Sequence, residues 1–577
     1  MKILGLVMQH DAGAAVIENG RILSAVNEER LNRQKMYWGI PKLSIGEALR
    51  LASCRPGDID AVVFSNLTTG NPIVTYDDIW RDPFSRILQF IPENRLTNWI
   101  VSTNLGISIG RTANFALAPR NRVFKQAYEY LRSIDLDRKF IHIEHHNAHA
   151  ASAWLTSGWS DCLVITLDAV GDGYCSKIFK ATGGRLREIH SIPFFHSPGY
   201  YYGYITYLCD FKPGRHEGKI TGLAAHGNPD KVKEILNREI YYDRSKFSFI
   251  NRGGYLWPEI WRLEEKLAGF TIEDMAAGVQ SHLEDLVSAY VADAVKRTGI
   301  KKVALAGGVF ANVRLNQKLL ELPGIEGIWI HPHMGDGGLG AGAALGYWAR
   351  ASLKTGAFRQ PEALKHVYLG QDYTDEEIET ALKNENCLYT RETNIELAAA
   401  DRLAKGKVVA RFFGRMEYGP RALGNRSMLY QATDPKVNDW LNKRLKRTEF
   451  MPFAPVILEE DAAALFNNYD ERSSHASEFM TITYDATVKC KKEAPAVVHI
   501  DGTARPQVVK PGANPSYEKI LREYKKLTGL SVLINTSFNM HEEPIVCTPS
   551  DAVRSFKQGH IDYLAIGSFL AENRTQP

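Results

Sequence analysis

Apolar runs broken by glycine-bearing turns set the pattern of the N-terminal part of the chain. In KILGLVMQHDAGAAVIENGRILSAV (2–26) an apolar strand meets His10, Asp11 and Gly13, a second strand follows, Asn19-Gly20 marks a turn, and a third strand closes the unit. CLVITLDAVGDGYCSKIFKATGGRLREIHSI (162–192) repeats the plan, with Asp168 and Gly171-Asp172-Gly173 after the first strand and Gly183-Gly184 at the turn. Glycine supplies the positive φ that tight hairpins need. A duplicated unit with a carboxylate at the end of each first strand predicts two similar lobes facing a cleft. Farther on, KKVALAGGVFANVRLNQKLLE (301–321) and GIWIHPHMGDGGLGAGAALGYWA (327–349) each read as a buried strand, a glycine-rich turn and a helix, which makes the class α/β.

Length changes the picture next. At 577 residues the chain exceeds one ordinary core, so two to four domains are expected. The polar stretch ASLKTGAFRQPEALK (351–365) reads as a linker, with a boundary near residue 353. A net charge of +4 implies neither a nucleic acid nor an acidic membrane surface as partner. The seven cysteines are scattered without a CxxC pair, which argues for a reducing cytoplasm and against a zinc ribbon. No apolar run approaches eighteen residues, and His10-Asp11 interrupts the first one too early for a signal peptide, so a cytosolic protein is expected.

The densest chemistry is IHIEHHNAHAASAW (141–154), in which His145 and His149 share one helix face and His142 and His146 another. A metal reading needs carboxylates elsewhere. Asp168, at a strand end, and Asp336, among glycines at another strand tip, complete a site of two histidines and two carboxylates for a divalent ion such as Fe, Mn or Mg. Backbone amides freed at Gly307, Gly308 and Gly335 suit phosphate or nucleotide, with Asn312 and Lys219 as candidate neighbours. A second concentration lies in RFFGRMEYGPRALGNRSMLYQATD (411–434) and LNKRLKRTEFMPFAPVILEE (441–460). There Arg415, Arg421, Arg426, Lys446 and Arg447 alternate with apolar and tight-turn residues, a pattern that fits convergence on a small anion. HIDGTARPQVV (499–509) adds Arg505, and SVLINTSFNMHEEPIV (531–546) places Asn535, Thr536 and Ser537 directly after an apolar strand.

These stretches, with HHNAH, GKITGLAAHG and GGVFANVRLN upstream, resemble the O-carbamoyltransferase family, which acts on nodulation factors, tobramycin and ansamycins. The resemblance covers nearly the whole chain. It implies a two-lobed actin/Hsp70-like (Kae1-like) domain over 1–352, a linker region over 353–394, and a YrdC-like α/β domain over 395–577. It further implies that carbamoyl phosphate and ATP give carbamoyl-AMP in the C-terminal domain, and that carbamoyl then passes to a hydroxyl of a small-molecule acceptor. Arg421, Lys446, Arg447, Arg505, Asn535, Thr536 and Ser537 then look like carbamoyl phosphate or adenylate ligands, and Lys219, Gly307, Gly308, Asn312 and Gly335 like nucleotide ligands. His145, His149, Asp168 and Asp336 look like metal ligands, and His10 like the base that takes the acceptor's proton. Many members carry arginine where this chain has Met451, and Arg447 is expected to take that contact. Residues roughly 64 to 140 carry no recognised motif and are expected to help form the acceptor pocket. A homodimer is compatible with this reading. Three alternatives stand beside it. A threonylcarbamoyl-adenosine enzyme of tRNA should be more basic, and a hydrogenase-maturation carbamoyltransferase should carry CxxC fingers. An actin-like nucleotide switch without transferase chemistry leaves the C-terminal arginines without a purpose.

Overall fold

The computed structural model describes residues 1–8, 10–67, 102–107, 122–446 and 453–573. The chain divides into two compact units: Met1–Leu23, Trp38–Pro41 and Ala52–Leu364 form the first, and Ser24–Tyr37, Lys42–Leu51 and Lys365–Pro577 the second.

In the first unit, β1 (Lys2–Val7), β2 (Gly13–Glu18), β3 (Arg21–Asn27), β4 (Ala61–Phe64) and β5 (Lys139–His142) form a sheet in the order β3-β2-β1-β4-β5. β2 runs antiparallel to β1, and β4 and β5 are parallel to it in sequence. β6 (Cys162–Gly171), β7 (Tyr174–Thr182) and β8 (Arg185–Pro193) begin a second sheet, and a small hairpin, β9 (Ile240–Asp243) and β10 (Ser248–Asn251), follows along the chain. β11 (Lys302–Ala306) and β12 (Gly327–Ile330) complete the second sheet in the order β12-β11-β6-β7-β8. Both sheets therefore consist of an antiparallel three-strand meander whose first strand takes one parallel neighbour, which in turn takes a second. The duplication expected from the hairpins is realised as two five-stranded sheets of matching plan within one α/β unit. The turns behave as their residues require, with φ of 50° and 84° at Asn19-Gly20 and of 55° and 75° at Gly183-Gly184.

Helices His145–Ser157 and Leu339–Lys354 pack against each other in the body of this unit. The glycines of the second helix are there because neighbours come too close for a side chain. A Cβ on Gly342 would lie 2.2 Å from the Ala148 carbonyl oxygen, and one on Gly5 in β1 would lie 1.9 Å from the Gly340 carbonyl oxygen.

The second unit is built on β13 (Leu388–Arg391), β14 (Val409–Phe412), β15 (Arg426–Gln431) and β16 (Ala454–Leu458), the short pair β17 (Tyr484–Asp485) and β18 (Thr503–Ala504), and β19 (Gln507–Val509), β20 (Leu533–Ser537), β21 (Tyr563–Ile566) and β22 (Phe569–Glu572). Eight of these strands form one mixed sheet, β13-β22-β21-β14-β15-β20-β16-β19. Helices Ile395–Ala404 and Pro515–Thr528 bury Ala399, Leu403, Tyr517 and Leu521 against it. Two expectations change here. The presumed linker is folded from Thr374 onward: Thr374 and Glu377 cap helix Asp375–Asn384 reciprocally, Ile378, Ala381 and Leu382 are buried, and β13 joins the sheet. The second unit also draws in Ser24–Tyr37 and Lys42–Leu51, so it is not a contiguous C-terminal segment. Among the described residues no helix is long and apolar enough to cross a membrane. All seven cysteines are free.

Candidate functional site

The four side chains chosen from sequence as metal ligands meet in the first unit. Each of His145, His149, Asp168 and Asp336 offers one ligand atom, and these atoms lie within 4.8 Å of one another. His149 Nε2 is 3.4 Å from Asp168 Oδ2 and 3.5 Å from Asp336 Oδ1, and His145 Nε2 is 3.8 and 3.6 Å from the same atoms. Two donors that each bind an ion at about 2.1 Å in tetrahedral geometry are about 3.4 Å apart, so this spacing fits an ion held between them. His145 Nε2 and His149 Nε2 are buried without a hydrogen-bond partner, the state expected of lone pairs reserved for a metal. The residues present fit the group.

Each ligand has a local reason for its position. His145 opens helix His145–Ser157, whose N-cap Glu144 accepts the Asn147 N–H at 2.9 Å. Asp168 lies where β6 bulges between Leu167 and Gly171, and its carboxylate accepts the N–H groups of Ala169 (2.7 Å) and Gly308 (3.1 Å). Asp336 starts the turn Asp336–Gly338 that leads into helix Leu339–Lys354. The other two histidines are structural. His142 donates to the Asn66 carbonyl and accepts from the Tyr128 hydroxyl, while His146 bonds the Thr166 hydroxyl and the Tyr174 carbonyl in the core.

His10 joins this centre. Its Nε2 is 3.2 Å from Asp336 Oδ2 and its Nδ1 is 3.3 Å from Asp11 Oδ2, and its side chain keeps 45% of its surface exposed. Desolvation pushes the imidazole pKa down, but Asp336, Asp11 and Asp168 together outweigh it and raise His10 to about 10. The same contest, won by Asp336 and Asp168, raises His145 to about 9. Asp168 is held well below the usual carboxylate range by His145 and His149, against its desolvation.

Sequence reasoning missed three residues that shape this centre. Asp172, at φ 46°, accepts the N–H groups of His145 (2.9 Å) and Leu67 (3.0 Å) through one oxygen. The Asn66 side-chain amide lies 3.3 Å from His145 Nδ1. Gly171 makes room for the ligand ring: a Cβ there would lie 2.0 Å from His145 Cδ2. The GDG triplet was visible in the sequence, but nothing in it pointed to a helix start 27 positions away.

The candidate nucleotide residues are less uniform. Gly307, at φ 113°, and Gly308 occupy the β11 turn beside Asp168, and Gly307 N–H donates to the Met334 carbonyl at 2.7 Å. The space around Gly335 is open. Lys219 is buried in helix Glu217–Leu223, its Nζ 5.7 Å from the centre of the Phe211 ring. Asn312 has a structural task, capping helix Val313–Leu320 through the Leu315 N–H and exchanging hydrogen bonds with Gln280.

In the second unit, strand register brings the other constellation together. Ser537 pairs with Ser427 and Asn535 with Leu429 across β20 and β15, Asn535 faces Ala454 on β16, and Gln507 pairs with Val456 across β19 and β16. Arg421 just before β15, Arg505 just before β19, and Thr536 and Ser537 at the close of β20 thus lie at one end of the sheet. Glu417 folds the intervening loop by accepting the N–H groups of Leu423, Asn425 and Arg426 at 2.8, 2.7 and 3.1 Å. The Asn535 amide donates to the Ala422 carbonyl and to Gln507, so it ties this loop to two strands.

Within the loop Arg421 has no partner among the described residues, and its Nε is buried. Desolvation lowers its guanidinium pKa. The side chain is half-buried, and a guanidinium fork left open in this way suits the oxygens of a phosphate or carboxylate. The neighbouring arginines are spent elsewhere, which corrects the expectation that all of them converge on an anion. Arg426 donates to the carbonyls of Phe413, Gly414, Asn425 and Gln371 and stacks on Phe412, and Arg415 donates to Leu369 and Gly370. Lys446 is exposed, at φ 56°. Arg447, Met451 and most of the expected acceptor segment lie outside the described residues.

Fold and centre together define a two-lobed α/β enzyme carrying a second α/β unit. A family model described as Carbamoyltransferase N-terminus matches residues 2–345, and one described as Carbamoyltransferase C-terminus matches residues 400–573. The chain belongs to this family and is a carbamoyltransferase. It is 31% identical over 625 residues to an uncharacterized protein of Synechocystis, covering 100% of this chain and 97% of that one. It is 35% identical over 463 residues to an uncharacterized protein of Methanocaldococcus jannaschii, covering 75% and 73%. It is 31% identical over 591 residues to nodulation protein NolNO of Sinorhizobium fredii, covering 98% and 79%.

Proposed function

We propose that this carbamoyltransferase is ATP-dependent and modifies a hydroxyl of a small natural-product acceptor in two steps, one per unit. In the second unit, carbamoyl phosphate and water give carbamate and phosphate, and carbamate attacks the α-phosphorus of ATP to give carbamoyl-AMP and pyrophosphate. The observation that carries this reading is Arg421, a half-buried side chain whose Nε is buried and without a partner among the described residues, at the end of the sheet where Arg505 and Ser537 also lie. Arg421 pairs with the donor's phosphate oxygens, and Arg505 and Ser537 add donors from neighbouring strand ends. Lys446, exposed shortly after helix Val437–Arg444, and Arg447, its neighbour in sequence, bring further positive charge.

In the first unit the acceptor oxygen attacks the carbamoyl carbon, the bond from that carbon to the AMP oxygen breaks, and AMP leaves. His10 takes the acceptor's proton. A divalent ion held by His145, His149, Asp168 and Asp336 supplies positive charge for the nucleotide phosphates. His10 works as a base only when neutral, and of the three carboxylates that keep it protonated, Asp336, Asp11 and Asp168, the first and last are ones that metal ligation occupies. The Gly307 and Gly308 N–H groups are spent on Met334 and Asp168, contrary to the expectation of free amides there, which leaves Gly335, with open space around it, to give phosphate room next to these ligands.

Incubation with carbamoyl phosphate, ATP and a panel of hydroxylated small molecules, read by mass spectrometry, tests the reading. The expected result is a carbamoyl addition that requires both carbamoyl phosphate and ATP. Transfer that proceeds without ATP would refute it.

A further inference from the structure

Helix Glu28–Asn32, the first helix of the chain, belongs to the second unit, where it lies against the loop that carries Arg421. Arg30 is buried, and its Nη2 donates to the Gly419 carbonyl at 2.9 Å, two residues before Arg421. Leu31 packs into the cluster formed by Met416, Ala422, Ile545 and Cys547, two of which flank Arg421 in sequence. Arg33 donates to the carbonyls of Pro544 (2.7 Å) and Ile545 (2.8 Å), and its Nε is 3.5 Å from Asp551. That turn follows β20, the strand ending in Ser537, and Val546 N–H donates back to the Phe538 carbonyl. One five-residue helix with its C-cap residue Arg33 therefore fastens both the segment leading to Arg421 and the segment following Ser537.

The helix is itself held firmly. Glu28 accepts the N–H groups of Leu43 and Ser44 at the start of helix Lys42–Leu51, Glu29 accepts that of Met36, and Ala25 N–H donates to the Leu369 carbonyl. Gly419 has φ 117°, a conformation that glycine alone adopts at little cost, and in this conformation its carbonyl meets the Arg30 guanidinium. A charged donor spent on a loop carbonyl is a strong restraint on that peptide.

We propose that the N-terminal helix completes the C-terminal anion pocket, with Arg30 as the positioning residue that aims Arg421 at the carbamoyl phosphate oxygens. Arg30 touches no substrate; it acts through Gly419. The inference rests on the assignment of Arg421 as an anion ligand.

The test uses the full-length chain and compares Arg30→Ala, Arg30→Lys and Arg421→Ala, with carbamoyl phosphate as titrant in calorimetry and with separate KM values for carbamoyl phosphate and ATP in pyrophosphate exchange. Arg30→Ala should weaken carbamoyl phosphate binding and raise its KM by tenfold or more, with the KM for ATP and metal content within twofold of wild type. Arg30→Lys should recover part of the loss. If Arg421→Ala abolishes binding while Arg30→Ala leaves it intact, the positioning role is refuted and the pocket assignment stands. If Arg421→Ala binds normally, the pocket assignment fails, and the role of Arg30 with it. If Arg30→Ala weakens both substrates and metal equally, with a broadened unfolding transition, the helix is a general brace and the positioning role is refuted.

Discussion

Replacing Gly171 by alanine should weaken metal binding by the proposed centre of His145, His149, Asp168 and Asp336 without changing a ligand. The added Cβ would lie 2.0 Å from His145 Cδ2, 2.3 Å from Cγ and 2.5 Å from Nε2, whereas ordinary contact begins near 3.4 Å, so the ring must retreat by some 1.4 Å. Overpacking of this kind costs about 1–3 kcal/mol, and the ring cannot rotate freely to escape, because Asn66 lies at its Nδ1 and Asp172 holds its backbone N–H. Metal sites tolerate displacements of only about 0.2 Å. His145 should therefore be lost as a ligand or held off-geometry, and affinity should fall by about 10–100-fold, the range seen when residues supporting a ligand are removed. Titration with Mn²⁺ against a competing chelator, followed by electron paramagnetic resonance, measures this directly. Adenylate formation in the second unit should proceed as in wild type. If Gly171→Ala binds Mn²⁺ with wild-type affinity, the seating of His145 is not what makes the centre, and the reasoning from its geometry is wrong.

Other outcomes follow from the same site. Metal affinity should rise with pH from about 6.5 to about 9, close to tenfold per unit, because His145 in the metal-free protein holds a proton up to about 9 that the ion must displace; a chelator competition series that is flat over this window would contradict the assignment. The Asp336→Asn variant should show lower metal occupancy by elemental analysis, and unchanged content in both this variant and His149→Ala would place the metal elsewhere. Arg421→Ala removes charge-assisted hydrogen bonds worth about 1.5–3 kcal/mol each, so kcat/KM for carbamoyl phosphate should fall at least tenfold in pyrophosphate exchange. His10→Asn should form carbamoyl-AMP at a near-normal rate but transfer carbamoyl about 10²–10⁴-fold more slowly; equal loss of both steps would remove His10 from the role of base.

The paired sheets were legible in the sequence because hairpins announce themselves locally, through Asn19-Gly20, Gly183-Gly184 and apolar runs of strand length. The four metal candidates were legible because His145 and His149 share a helix face and because a carboxylate among turn glycines, as at Asp336, has little reason to be there for packing. What stayed hidden depends on long-range pairing. Nothing near NEERLN shows that Arg30 meets Gly419, 389 positions away. The run of arginines around GPRALGNRS concealed a division of labour, since burial against carbonyls, as for Arg426, and half-burial without a partner among the described residues, as for Arg421, look alike in one dimension. The folded stretch after Thr374 was overlooked because its helix is short and mostly polar, with only Ile378, Ala381 and Leu382 turned inward.

The proposed formation of carbamoyl-AMP by the second unit at Arg421 is tested most directly by the exchange of labelled pyrophosphate into ATP by the wild-type protein. Exchange that appears only when carbamoyl phosphate is present, and that collapses in Arg421→Ala but persists in His10→Asn, is the predicted result. Carbamoyl transfer to an acceptor without any carbamoyl-phosphate-dependent exchange would contradict it.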